Sequence, residues 1–140
     1  MIFTSELPIR FAHCDPAGIV FYPRYFEMIN GVVEDWCAQG LSASFHEMHM
    51  QRGIGLPTVH IETDFSKPAE LGEILLAELS VVKLGGASVE IQILILGPQR
   101  DMRVKARLVL VMMDLKLRKA MAIPEILRVA MAKYSDVPAV

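Results

Sequence analysis

The 140-residue chain predicts an α+β domain on three observations: one long amphipathic helix near its start, a run of strand-like segments after it, and Gly or Pro signals between those segments. Thr4 to Phe11 reads as a first strand, with Pro8 confining it to a sheet edge or ending its regular pairing early. From Pro23 to Gln39, Phe26, Ile29, Val33 and Trp36 recur at helical spacing, with Glu27, Glu34 and Asp35 mostly on other faces and Gly40 as a stop. Pro23 suits a first helical position, so this helix is expected to begin at about Tyr22. Ser44 and Glu47 have capping-box spacing, which predicts a short second helix from about Phe45 to Gln51, ended by Gly53 and Gly55. Thr58 to Ser66 alternates Val59, Ile61 and Phe65 with His60, Glu62 and Asp64, as a half-exposed antiparallel strand does. Glu73 to Leu84 and Ser88 to Leu96 flank Gly85-Gly86, a dipeptide suited to a tight hairpin. Gly97-Pro98 turns the chain, Val104 to Met113 adds a long strand and Leu115 to Ala122 a short one, and Pro124 opens a last helix through about Lys133.

The length and an apolar content of 53% suffice for one domain, residues 1–140, with a substantial core. The net charge is −2 with scattered basic residues, so nucleic acid is not an expected partner. A basic start followed by an apolar stretch is lacking, and the longest apolar runs, such as Leu108 to Met113, are far below the roughly 20 residues of a membrane span. No membrane partner and a cytoplasmic location are therefore expected. Cys14 and Cys37 are expected to be free thiols rather than a disulfide. Ser88 to Leu96 and Val104 to Met113 are apolar on both faces, so a partner subunit is expected to cover what the helix does not.

Asp15-Pro16-Ala17-Gly18-Ile19-Val20-Phe21-Tyr22-Pro23 places one acid in a tight Pro/Gly turn directly before the helix. The first N–H groups and the positive end of that helix then face the turn, where a carbonyl oxygen gaining negative charge can sit. One carboxylate and one backbone oxyanion hole are enough for a minimal hydrolase of acyl groups.

The string from Arg10 to Phe26, RFAHCDPAGIVFYPRYF, resembles the hotdog-fold thioesterases of the 4-hydroxybenzoyl-CoA thioesterase family, and the likeness covers most of the chain. The resemblance implies a curved antiparallel sheet wrapped around one long central helix. It implies a coenzyme A thioester substrate with no metal or other cofactor. By motif, Asp15 is the nucleophile or the general base, Gly18 the turn residue, and Tyr22 the donor of the backbone N–H that polarises the thioester carbonyl. His13, Pro16, Phe21 and Tyr25 are expected around the acyl group. In the family, cations for the coenzyme phosphates sit on the hairpin between the middle strands and on the last strand, which here points to Lys83, Ser88 and Lys119. Relatives often carry Arg or Lys just before that Ser, where this chain has Ala87, which leaves a carrier-protein thioester open as an alternative substrate. The family pairs subunits into a continuous sheet, so a homodimer or homotetramer is implied, with sites at the subunit boundary.

A hotdog hydratase or dehydratase would need a His paired with an acid, for which His13 and Glu34 are the candidates. A non-catalytic acyl-thioester binder is the reading outside enzymology. Cys14 lies between His13 and Asp15, but neighbours in an extended segment point to opposite sides, so a Cys-His pair is not expected. His46, Glu47 and His49 lack the four-residue His spacing of zinc proteases and read as a polar helix face, and His60 as part of a solvated strand face.

Overall fold

The computed structural model describes residues 1–135. The elements are β1 (Phe3–Pro8), α1 (Pro23–Asp35), β2 (Ile54–Gly55), β3 (Thr58–Phe65), β4 (Ile74–Leu84), β5 (Ser88–Leu96), β6 (Met102–Val111), β7 (Met113–Asp114), β8 (Lys119–Ala120) and α2 (Glu125–Ala132). Five strands form an antiparallel sheet in the order β1-β4-β5-β6-β3, and β2-β7-β8 form a small second one. Successive β4, β5 and β6 make a meander, since antiparallel neighbours need only short turns. The helix lies in sequence between β1 and β2, and Ile29, Val32, Val33 and Trp36 on its inner stripe are fully buried. They share one apolar core with the inward rows Leu75, Ala77, Leu79; Val89, Ile91, Ile93; and Ala106, Leu108, Leu110. The sheet thus packs its apolar face on α1, as expected for the hotdog plan.

Several boundaries differ from the sequence expectation for local reasons. The first strand stops at Pro8, which has no N–H to offer, and Phe11–His13 form a single 3₁₀ turn instead of continuing it. The α-helix ends at Asp35, and Trp36–Gly40 continue it as one wider turn. Ser44 Oγ does accept the Glu47 N–H at 3.1 Å, and the turn that follows, Glu47–Arg52, is again of the wide type. The expected strand Leu115 to Ala122 is a turn plus β8, because Asp114 Oδ1 accepts the N–H groups of Lys116 (2.9 Å) and Leu117 (3.0 Å) and folds the chain over. The outward rows of β5 and β6, including Leu94 and Val109, are half-buried rather than covered. At the sheet edge β3 is open on both faces, with Val59 at 59%, Ile61 at 37% and Phe65 at 46% exposure. No helix among the described residues is long and apolar enough to cross a membrane.

At the β4 end nearest β1 sits one buried cation. The Arg103 side chain, 3% exposed, donates from Nη1 and Nη2 to Glu73 (2.9 and 2.8 Å), from Nε to Asp101 Oδ2 (2.6 Å) and from Nη1 to the Pro68 carbonyl (3.1 Å). Hydrogen bonds from Arg103 hold the carboxyls of Glu73 and Asp101 down at about 2 each. Carboxylates held below their unfolded values stabilise the fold above the unfolded pKa and lose that contribution as they protonate. Melting temperature is therefore expected to drop as pH falls from about 4.5 towards 2, and a thermal melt series should show a shallower drop in Glu73→Gln.

Candidate active site

The turn before α1 is a closed frame. The Asp15 N–H donates to the Ile19 carbonyl (3.0 Å), the Gly18 N–H returns to the Asp15 carbonyl (2.9 Å), and the Phe21 N–H reaches the His13 carbonyl (2.9 Å). Cys14 and Val20 pair across it as an antiparallel bridge. Gly18 has φ +79°, a left-handed conformation that a β-carbon disfavours. Asp15 is half-buried, and its Oδ1 accepts the Ala17 N–H at 2.9 Å, the self-bond of an Asx turn. Its Oδ2 has no hydrogen-bond partner among the described residues.

Tyr22 follows this frame as the residue that caps α1, with Pro23 in the first turn. The Arg24 N–H is used by the Phe21 carbonyl (2.9 Å) and the Tyr25 N–H by the Tyr22 carbonyl (3.1 Å), while Pro23 has no N–H. The Tyr22 N–H is left without an acceptor among the described residues. Such an unspent donor at the positive end of a helix stabilises negative charge. Chemically, the turn offers one free carboxylate oxygen and one free N–H.

Two cavities open beside it. One, of about 270 Å³, is lined by Val20, Tyr22, Tyr25, Phe65, Ser66, Lys67 and Pro68. The Phe65 ring is its hub, 6.2 Å from Tyr22, 5.7 Å from Tyr25 and 6.2 Å from Phe26. Burial pushes the Tyr25 phenol above its ordinary pKa, partly offset by the Arg103 guanidinium and the Ala69 backbone. The other, of about 440 Å³, is lined by Ala12, His13, Arg24, Glu27 and Met28.

The residues expected at the site separate into two groups. Asp15, Pro16, Gly18, Phe21, Tyr22 and Tyr25 cluster at one end of the fold, with Pro16 exposed at the turn and Phe21 edge-on to Tyr22 at 5.7 Å. His13 Nδ1 accepts the Arg10 N–H at 2.9 Å, so its neutral ring carries the proton on Nε2 and braces the loop. It lines the cavity with Arg24 and Glu27, whereas Glu34 lies seven residues beyond Glu27, about 10 Å further along the helix. The proposed His13–Glu34 pair is therefore not formed. Cys14 Sγ donates to the Arg10 carbonyl at 3.5 Å, and burial pushes the Cys37 thiol up to about 12, so neither thiol has a base to activate it. His49 stacks edge-on to Phe45 (5.0 Å), and His60 pairs with exposed Glu62 (3.1 Å).

Lys83, Ser88 and Lys119 form the second group, at the far end. The Met112 N–H donates to the Ala87 carbonyl (2.8 Å), the Ile123 N–H to the Gly86 carbonyl (3.0 Å) and the Met121 N–H to the Met112 carbonyl (2.9 Å), which draws the segment after β8 to the hairpin. The Asp15 turn instead contacts the segment just before β4, through Val20 N–H to the Ala69 carbonyl (2.9 Å) and Leu71 N–H to the Gly18 carbonyl (3.1 Å). Ten residue steps of β4 separate the two ends, roughly 33 Å at a strand's rise of about 3.3 Å per residue. Within one chain these residues do not meet Asp15. The sequence reading also missed Phe65, Lys67, Arg103 and Arg128, whose guanidinium grips the hairpin carbonyls of Gly85 (2.5 Å) and Gly86 (2.9 Å). Arg103 carried no distinguishing signal, because it alternates with Lys105 and Arg107 along β6 as a solvent-facing row of cations would.

Known proteins share sequence and fold with this chain. Curated relatives include the 1,4-dihydroxy-2-naphthoyl-CoA hydrolase of Synechocystis sp., 30% identical over 58% of this chain and 58% of that one. Another is the 4-hydroxybenzoyl-CoA thioesterase of Pseudomonas sp., 28% identical over 56% of each chain. The match thus spans less than two thirds of either relative's length. Among solved structures, a 1,4-dihydroxy-2-naphthoyl-CoA thioesterase from Synechocystis superposes with TM-score 0.85 over 94% of this chain and 96% of its own at 24% identity, a likeness of fold. A family model described as thioesterase-like superfamily matches residues 9–131, a span that takes in the Asp15 turn, α1 and every strand of the main sheet except β1. The chain belongs to the thioesterase-like superfamily.

Proposed function

We propose that this protein hydrolyses an acyl- or aroyl-CoA thioester to the free acid and coenzyme A. The observation that carries the reading is the pairing, in one turn, of a carboxylate with a free Oδ2 and an unspent Tyr22 N–H at the start of α1. The thioester carbonyl would accept the Tyr22 N–H, and charge developing on its oxygen would be stabilised there. Asp15 then acts in one of two balanced ways. As general base it takes a proton from water, the hydroxide adds to the carbonyl carbon, and collapse expels the thiolate, which recovers the proton. As nucleophile it forms a mixed anhydride and releases the thiolate, and water cleaves the anhydride. Single turnover in ¹⁸O-water identifies the nucleophilic route where water cleaves the anhydride at the Asp15 carbonyl carbon, because label in the Asp15 carboxylate arises in no other way. The relatives named for naphthoyl and benzoyl thioesters and the aromatic cavity around Phe65 favour an aromatic acyl group. A hydrolysis screen of benzoyl, hydroxybenzoyl, phenylacetyl and short aliphatic CoA thioesters tests this; no turnover of any would leave a binder.

Tyr22→Phe is expected to keep activity within about threefold, since the backbone N–H survives, whereas Gly18→Val should lose far more. The valine β-carbon strains the positive φ and displaces both Asp15 and the helix start. Steady-state kinetics of the two variants, folded by circular dichroism, provide the comparison.

The site needs a second copy. The β3 edge is unpaired and carries Val59, Ile61 and Phe65, and an exposed apolar edge of this kind favours strand-to-strand pairing. Two-fold antiparallel pairing of β3 would set the Phe65 end of one chain beside the Thr58 end of the other. The second copy's β5 then stands three strand spacings away, roughly 14 Å at about 4.8 Å each, with its hairpin at the near end. Coenzyme A could then span Asp15 of one copy and the hairpin of the other. Sedimentation should show a dimer or tetramer at micromolar concentration, and Ile61→Lys should shift it towards monomer.

A further inference from the structure

The segment 66–73 joins two things that the reaction needs kept in register: the sheet and the Asp15 turn. On the sheet side, four hydrogen bonds from the buried Arg103 guanidinium hold it through the Pro68 carbonyl and both Glu73 oxygens, with Asp101 taking the fourth. Glu73 Oε1 also accepts the Glu70 N–H at 2.7 Å, so the carboxylate closes the turn between them. The Ser66 N–H donates to the Arg103 carbonyl at 2.9 Å, fixing the segment's start. Gly97 packs so closely that a β-carbon there would meet the Arg103 nitrogens at 2.6 and 2.7 Å, so a glycine at this position leaves the guanidinium its room.

On the catalytic side, the same segment supplies the backbone partners of the turn. Ala69 accepts the Val20 N–H (2.9 Å), the Leu71 N–H donates to Gly18 (3.1 Å), the Gly72 N–H donates to Ile9 (3.1 Å), and Ile19 pairs with Glu70 as a bridge. Gly18 and Val20 lie between Asp15 and Tyr22, so whatever moves residues 69–71 moves the carboxylate relative to the N–H.

We propose that Arg103 is a positioning residue for thioester hydrolysis, acting through the Pro68–Glu73 segment on the Gly18–Val20 peptides rather than by touching substrate. This inference rests on the assignment of Asp15 and the Tyr22 N–H as the reacting pair. A planar fork is needed because only it can serve two carboxylates and a carbonyl together; an ammonium keeps the charge and loses the geometry. Displacements of about 1 Å in catalytic groups cost on the order of a hundredfold in rate.

Arg103→Lys, compared with Arg107→Lys on the same strand as a control, provides the test. For Arg103→Lys, kcat with the best CoA thioester should fall by at least about thirtyfold while KM stays within about threefold. Hydrogen exchange should show the Val20 and Leu71 amides losing protection, with the Ile91 and Ile93 amides in the sheet centre unchanged. Arg107→Lys should match the unmodified protein in both readouts. If Arg103→Lys does not fold, Glu73→Gln, which keeps one acceptor oxygen, should show the same pattern at smaller amplitude. Unchanged protection at Val20 and Leu71, protection lost evenly across the sheet, or an unchanged kcat overturns the inference. The exchange readout involves no chemistry, so loosened amides and lost kcat beside a fully active Asp15→Asn would sink the Asp15 assignment and leave Arg103 as a positioning residue.

Discussion

Asp15→Asn is expected to lower turnover by at least about a hundredfold, the lower range for losing a general base or nucleophile, while leaving thioester binding intact. The asparagine keeps the size of the side chain and the oxygen that accepts the Ala17 N–H, so the turn and its Gly18 geometry should survive. What disappears is the negative Oδ2, the atom required by both mechanistic routes. Binding should hold or tighten, because the aromatic cavity and the Tyr22 N–H remain and a carboxylate near the thioester oxygen is gone. Steady-state hydrolysis, set beside calorimetric binding of a non-hydrolysable thioether analogue, reads the two effects separately. Near-normal turnover in folded Asp15→Asn would reject the assignment. The alternatives would then be thin: His13 spends Nδ1 on Arg10, Cys14 donates to the Arg10 carbonyl, and Glu34 sits along the helix from both.

The parts of the fold that were legible in the sequence are those governed by local chemistry. Helix α1 follows from the spacing of Ile29, Val33 and Trp36 and from Pro23 at its start, and the β4–β5 hairpin follows from Gly85-Gly86. The turn at Asp15 was legible because one glycine at positive φ and one Asx bond nearly determine it. What was not legible depends on segments distant in sequence. Glu73, Asp101 and Arg103 look like ordinary strand-end charges until the fold brings them together, with Arg103 buried between the two half-buried carboxylates. Phe65 reads as one more apolar residue in an alternating strand, yet it gathers Tyr22, Tyr25 and Phe26 around it. Within one chain Lys83, Ser88 and Lys119 lie the length of β4 away from the Asp15 turn, so their expected partnership with Asp15 would need a second copy.

That separation makes the strongest expectation one about mixing two defective chains. If each site takes its carboxylate from one copy and its coenzyme cations from the other, then Asp15→Asn and the double variant Lys83→Glu, Lys119→Glu should complement each other. The first lacks the reacting oxygen; the second repels the coenzyme phosphates, and losing charge-assisted contacts worth about 1.5–3 kcal/mol each should raise KM by tenfold or more. In a hybrid dimer, one site combines Asp15 of the double variant with the intact hairpin of the other chain, and the second site carries both lesions. Hybrids isolated with two affinity tags should therefore recover about half of the unmodified kcat/KM, as two-fold symmetry requires. Each parent alone should stay at least about fivefold below that level. Hybrids no more active than the better parent would mean that Asp15 and the hairpin do not share a site across copies. The coenzyme would then have to be held at the Asp15 end of the same chain, where Lys67 lines the Phe65 cavity and Arg24 the His13 cavity, and the charge reversals should be repeated at those two residues.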